Sequence, residues 1–315
     1  MDILNAVRGV LFGAAVGDAL GVPVEFTDRE ELRGRPVADL AGGGVHGQPV
    51  GTFSDDASLT FCLAEALTVD FDLKNVAKNF VEWLNRGYWT AGGAVFDVGR
   101  GTLKAIHNLH DGVDPESAGG KGPYDNGNGS LMRISPLAFY IRKMPVRDRF
   151  DIVKKVSSIT HGHIRSVIAC FCYLEFMLQI LDGKNIFDAY KGMQLSVSDF
   201  LESLAIDRSE ISLFDGVLKH DIYELPEDRI DSGGYVVSTL EASIWCLLTT
   251  GNYREAVIKA VNLGDDTDTT GCVAGAAAGL YYGYGGIPEE WVGKIAKRGE
   301  IDNLAERLYI KIENV

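Results

Sequence analysis

The chain has 315 residues, 46% of them hydrophobic and 23% charged, with a formal net charge of −14. This composition supports a sizeable buried core and is that of a globular protein. Its acidity repels a phosphate backbone and no basic run exceeds two residues, so neither nucleic acid nor an anionic membrane is expected as a partner.

The N-terminus, MDILNAVRGVLFGAAVGDALGVP, opens on Asp2, and its short apolar run from Gly9 to Val16 stops before Asp18. A signal peptide is therefore not expected. A second apolar run, Gly271 to Ile287, is too short and too rich in glycine for a membrane span. The cysteines, Cys62, Cys170, Cys172, Cys246 and Cys272, are odd in number, lie in apolar stretches and form no CxxC. Buried, reduced thiols in a soluble, cytoplasmic and monomeric protein are expected.

Period-two alternation is scarce and helical periodicity is common. Residues 57–69 place Leu59, Cys62, Leu63, Ala66 and Leu67 on one face, and comparable helical readings cover 74–84, 148–159, 163–182, 233–249, 253–263 and 289–311. Loops rich in Gly and Asn are read at 33–51, 119–129 and 227–234. No linker separates compositionally distinct halves. The expectation is an all-α fold, one compact multi-helix domain over residues 1–315.

Two segments carry glycine at every fourth position: 9, 13, 17 and 21, and again 271, 275, 279 and 283. A step of four keeps one helix face bare. Each glycine weakens a helix by roughly 0.8–1.0 kcal/mol relative to alanine. Close approach of two backbones is the compensation expected, with the two helices as central neighbours.

Acidic residues gather beside both stripes. The first contains Asp18 and runs on to Glu25; the second follows Asp265, Asp266 and Asp268. A further group, Ser54-Asp55-Asp56, precedes the helix read at 57. Capping explains one or two acids at a helix start, since Ser, Thr and Asp are preferred there. It does not explain the accumulation at both starts, because crowded buried carboxylates need protons or a cation. Hard divalent ions take oxygen ligands, and two acidic turns brought together can hold a pair of them. Histidine is absent from both turns, which argues against zinc.

Around these residues the sequence resembles the ADP-ribosylglycohydrolases, the group containing the dinitrogenase reductase-activating glycohydrolase and the eukaryotic ADP-ribosylhydrolases. The motifs follow the family's order through nearly the whole chain: GAAVGDALGVPVEF at 13–26, SDD at 54–56, FDVG at 96–99, GNGSLMR at 127–133, THGH at 160–163, GYVVSTL at 234–240 and GDDTDTTG at 264–271. The chain departs from the usual pattern at Ala57, where threonine is common, at Asp265, where glycine is common, and at Ser54, where many members have threonine.

The resemblance implies an all-α fold, two Mg²⁺ or Mn²⁺ ions, and hydrolysis of the glycosidic bond joining ADP-ribose to a protein side chain. The partner would be an ADP-ribosylated protein, with arginine as the leading linkage, or an ADP-ribose-containing small molecule. By position, Ser54, Asp55, Asp56, Asp266, Asp268 and Thr269 would be metal ligands, and Glu25 and Asp97 would be catalytic. Gly127, Asn128, Gly129, Ser130, Met132, His161 and Tyr235 would contact the ADP-ribosyl group. Taken alone, NGNG is a plain turn, Asp97 a helix cap, His161 a satisfied histidine and Tyr235 core, while Arg133 would pair with phosphate or an acidic neighbour. Residues 185–231 would form the rim that selects the substrate. The alternatives are a hydrolase of O-linked ADP-ribose, on serine or as an ester, and a non-catalytic ADP-ribose-binding module.

Overall fold

Gly9, Gly13 and Gly17 lie against Gly279, Gly275 and Gly271 in an antiparallel crossing so close that no side chain fits between the backbones. A Cβ added at Gly9, Gly13 or Gly17 would stand 2.1, 2.3 or 1.9 Å from the carbonyl oxygen of Gly279, Gly275 or Gly271. The two helices, Ile3–Gly21 and Thr267–Tyr282, are the centre of the protein, as the four-residue step predicts. The structure is a computed structural model and describes residues 2–314.

From Gly9 onward the first helix is apolar or bare apart from Asp18, and it is buried on all sides. Val236–Leu248 and Tyr253–Val261 pack around the central pair. Two buried tyrosines fasten it to its surroundings: the Tyr253 hydroxyl donates to the Gly13 carbonyl at 2.8 Å and Tyr173 to that of Val273 at 2.8 Å. Two helices, beginning at Ile3 and at Ile164, are long and apolar enough to cross a membrane, but 78% of each apolar window is buried inside the protein. They are core helices here. All five cysteines are buried and unpaired.

Among the described residues no strand forms; helices and loops alternate, with three isolated bridges. The expected helices appear as Asp55–Leu67, Leu73–Arg86, Val146–Ser158, Ile164–Leu181, Val236–Leu248 and Tyr253–Val261. The continuous helix expected over 289–311 is instead broken into Glu289–Val292 and Arg298–Glu313. The break receives another loop: the Ala296 amide donates to the Gly51 carbonyl at 3.0 Å, and Lys297 turns left-handed at φ 57°. Helix Ile186–Glu202 has no counterpart in the sequence reading. Its buried residues Ile186, Ala189, Tyr190, Met193, Val197, Phe200 and Leu201 keep helical spacing, but exposed Phe187 and Leu195 blur the stripe.

Candidate active site

The first helix brings the two acidic turns together. Its Asp18 is wholly buried and caps the Asp55–Leu67 helix: Oδ1 accepts from the Ser54 amide at 2.8 Å and Oδ2 from the Ala57 amide at 2.9 Å. One turn later Gly21 lies against the other acidic turn, where an added Cβ would stand 2.3 Å from the Asp268 nitrogen. The Thr267 hydroxyl donates to the Gly21 carbonyl at 2.9 Å. Acids some 210 residues apart in sequence are thus set by adjacent turns of a single helix, and the expected convergence is present.

They meet at a cavity of about 510 Å³. Glu25, Asp55, Asp97, Asp266 and Thr269 line it, together with Gly127, Asn128, Gly129, Met132 and His161. Single carboxylate oxygens of Glu25, Asp266 and Asp268 lie within 4.8 Å of one another. Asp266 Oδ2 accepts from Asn128 Nδ2 at 2.8 Å, which ties the acid turn to the GNG loop. Asp56 Oδ2 accepts from the Ser54 hydroxyl at 2.9 Å, and Asp268 Oδ1 from the Thr269 amide at 2.9 Å. Asp56 Oδ1 and Asp268 Oδ2 are buried with no hydrogen-bond partner.

These acids are poor anions without a counter-charge. Burial, reinforced by neighbouring carboxylates, holds Asp55, Asp56 and Asp268 well above the usual carboxylate range. Burial, then repulsion from Asp97, pushes Glu25 up to about 9. Burial raises Asp18 to about 7 and also raises Asp266, against the pull of Asn128. Two orphaned oxygens in an all-oxygen donor set fit a hard divalent cation.

The sign of the pH effect follows. Glu25 and Asp18 have folded values above their ordinary values of 4.5 and 3.8, so the cation-free fold gains stability by keeping protons. That contribution is full below about pH 4 and is lost as pH rises through 7 and 9. Saturating Mg²⁺ is therefore expected to raise the melting temperature more at pH 8.5 than at pH 6, read against the chelated protein by scanning fluorimetry. A pH-independent increment would separate the buried acids from cation binding.

Several expected contacts turn elsewhere. Ser54 directs its hydroxyl onto Asp56 and does not line the cavity. Ser130 is wholly buried behind the loop, accepting from the Ser157 hydroxyl at 3.0 Å and lying 3.4 Å from Cys170 Sγ. Tyr235 pairs its backbone with Gly127, and its neighbour Gly234 faces the cavity in its place. Arg133 points away from every carboxylate of the site: Nη2 donates to Thr160 Oγ1 at 2.8 Å, and the guanidinium lies 4.5 Å over the Phe80 ring. No residue of 185–231 lines the cavity. The rim comes instead from 97–104 and from the loop carrying Tyr124 and Asp125.

His46 is absent from the sequence reading of the site, and Asp18 stands there without a role. His46, from the Gly-rich loop before the SDD turn, hydrogen-bonds Glu25 Oε2 through Nε2, with its ring 5.2 Å from that of Phe96. A lone histidine in GGGVHG is the only sequence signal. Asp18 stands in the acidic group that the sequence shows beside the first stripe, but its capping role is not assigned there; a charge inside an otherwise apolar helix demands a buried partner.

The sequence matches the ADP-ribosylglycohydrolase family over residues 1–315. The chain belongs to this family. It is 32% identical over 319 aligned residues to the ADP-ribosylarginine hydrolase Tri1 of Pseudomonas putida, covering 99% of this chain and 80% of that one. It is 28% identical over 306 residues to the ADP-ribosyl-[dinitrogen reductase] glycohydrolase of Rhodospirillum rubrum, covering 95% and 93%. A solved structure titled ADP-ribosylglycohydrolase-related protein complex superposes with a TM-score of 0.80 at 30% identity, covering 99% of this chain and all of that one.

As a member of the ADP-ribosylglycohydrolases, the chain explains its own departure at Asp265. This residue is left-handed at φ 59°, a conformation in which glycine is at ease and aspartate is tolerated. Its amide donates to the Thr27 carbonyl and its carbonyl accepts from the Phe26 amide, both at 2.8 Å, so the backbone ties the Glu25 loop to the acid turn. Its side chain is exposed and adds no charge to the cavity.

Proposed function

We propose that this protein is a cation-dependent hydrolase that cleaves the N-glycosidic bond between ADP-ribose and an arginine side chain, reversing mono-ADP-ribosylation. The observation that carries the reading is the meeting of two acidic turns, with Glu25, at a cavity that the GNG loop also lines. Relatives described as ADP-ribosylarginine hydrolases match nearly the whole chain, which supports the arginine linkage. The cavity has the size of a small-ligand site.

Asp55, Asp56, Asp266, Asp268 and Thr269 would hold two Mg²⁺ or Mn²⁺ ions, with Ser54 orienting Asp56. Bound there, such ions supply Lewis acidity to water and to the ribose hydroxyls. The carboxylates around Glu25 and Asp97 face the anomeric carbon, where positive charge develops as the glycosidic bond loosens. Water adds its oxygen to that carbon, and its proton passes to Glu25 or Asp97. The carbon–nitrogen bond breaks with its electron pair going to nitrogen. An arginine guanidinium already carries its charge, so it leaves as the neutral guanidine and takes up a proton afterwards. Gly127 and Gly129 present backbone to the diphosphate, with Arg100 and Lys104 on the cavity wall supplying positive charge.

The deciding experiment offers arginine-, serine- and ester-linked ADP-ribose substrates with Mg²⁺, with Mn²⁺ and with chelator. Release from arginine, abolished by chelator, is expected; inactivity on all three would make the protein a binding module. Asp97→Asn is expected to lower kcat by about 10²–10⁴-fold, the usual worth of a positioned proton acceptor. Asp97 is left-handed at φ 49°, and asparagine accepts that backbone, so the loop should persist. Unchanged kcat would remove Asp97 from the proton path.

A further inference from the structure

Arg133 is a costly residue in its place. It is wholly buried, and its Nε and Nη1 have no hydrogen-bond partner. Its Nη2 donates to the Val156 carbonyl at 3.3 Å and to Thr160 Oγ1 at 2.8 Å. A guanidinium only donates, so the Thr160 oxygen must accept from it. The other hydrogen-bond neighbour of that hydroxyl, among the described residues, is His161 Nδ1 at 2.9 Å. The oxygen has a second lone pair for an Nδ1–H, but a proton on Nδ1 would leave the buried hydroxyl hydrogen without an acceptor, so the arrangement that pairs both groups has the hydroxyl donating to an unprotonated Nδ1.

The opposite nitrogen looks into the cavity. A Cβ built on Gly101 would lie 3.1 Å from His161 Nε2, and one on Gly127 3.5 Å from it; both glycines and His161 itself line the cavity. Among the described residues Nε2 has no protein acceptor. Burial and the nearby Arg133 charge lower the ring to about 3, so it is neutral at working pH. The acids that line the cavity are acceptors, and a fixed neutral N–H in the same lining is the complement that phosphate and hydroxyl oxygens require.

We propose that Arg133 and Thr160 are positioning residues that fix His161 as the tautomer with its proton on Nε2, aimed into the cavity as a donor to an oxygen of the ADP-ribosyl group. The identity of the acceptor rests on the proposed function; the tautomer does not.

The test is nitrogen NMR of the full chain labelled at histidine, with Mg²⁺ present and the His161 signals assigned by their loss in His161→Gln. In the unsubstituted protein Nδ1 should show the unprotonated shift and Nε2 the protonated one. Thr160→Val keeps the side-chain shape, deletes the hydroxyl and should move the proton wholly or partly to Nδ1, whereas Thr160→Ser should retain the original pattern. Added ADP-ribose should shift Nε2 and leave Nδ1 in place. In turnover, Thr160→Val should raise KM about 3- to 10-fold with kcat within about twofold, the mark of a hydrogen bond made equally in ground and transition states. A proton on Nδ1 in the unsubstituted protein, or an unaltered spectrum in Thr160→Val, overturns the proposal. Failure of every ADP-ribosyl substrate would overturn the proposed function while the spectra still decide the tautomer.

Discussion

Asp268→Asn is expected to give a folded protein that has lost cation binding and about three orders of magnitude in turnover, the scale seen when a preorganised electrostatic group is removed from an active site. Asp268 is buried, and its Oδ1 is satisfied by the Thr269 amide, a bond that the asparagine oxygen keeps. Its Oδ2 is the orphan, with Asp56, Glu25 and Asp266 as the neighbouring charges. Substitution turns that acceptor into an amide donor among carboxylates, which removes a cation ligand and relieves repulsion at once. In chelator the variant should therefore be more stable than the unsubstituted protein, by about 0.5–2 kcal/mol, as at sites where function is held against stability. With saturating Mg²⁺ the order should reverse. Isothermal titration with Mg²⁺ and Mn²⁺, melting with and without chelator, and ADP-ribose release measure the three arms. Turnover within tenfold of the unsubstituted protein would refute a cation at Asp268, and equal stability in chelator would refute the crowding.

Which parts of this arrangement were legible in the sequence depends on the range of the physics. A glycine every fourth residue and two hydroxyl-acid turns at helix starts are local patterns, and both survive into the structure as the central crossing and the acid cluster. What stayed hidden is the direction in which loop residues face. Asn128 and Gly129 meet the cavity while Ser130, next in the chain, packs on Cys170 and Ser157, and no periodicity announces that reversal. The charge of Arg133 suggests pairing with phosphate or an acidic neighbour, yet it stacks on Phe80 behind the site. His46 reaches Glu25 from a loop whose path is set by contacts elsewhere, such as Gly44 against the Pro23 carbonyl. The rim was sought in 185–231 because that segment lacks family motifs. Its helix Ile186–Glu202 packs on Ile164–Leu181 and stays clear of the opening.

The glycine crossing carries the other large effect, because local propensity and packing there predict opposite signs. Alanine at Gly17 would favour an isolated helix by roughly 0.8–1.0 kcal/mol. In the protein its Cβ would stand 1.9 Å from the Gly271 carbonyl oxygen and 2.5 Å from its carbon. The obstacle is backbone on both sides, so no rotamer change relieves it and the helices must part. Packing should win, with Gly17→Ala costing about 3–5 kcal/mol, the upper range for overpacking and single substitutions. Asp18 and Gly21, which set the two acid turns, move with that helix, so Mg²⁺ affinity should fall together with stability. Gly34→Ala is the control: it lies at the end of helix Arg29–Gly34 with nothing within 4 Å of an added Cβ, and should be neutral or stabilising by up to about 1 kcal/mol. Urea midpoints and Mg²⁺ titrations on both variants separate the effects. A Gly17→Ala protein as stable as its parent would mean that the crossing has slack, and the acid turns would then need another explanation for their meeting.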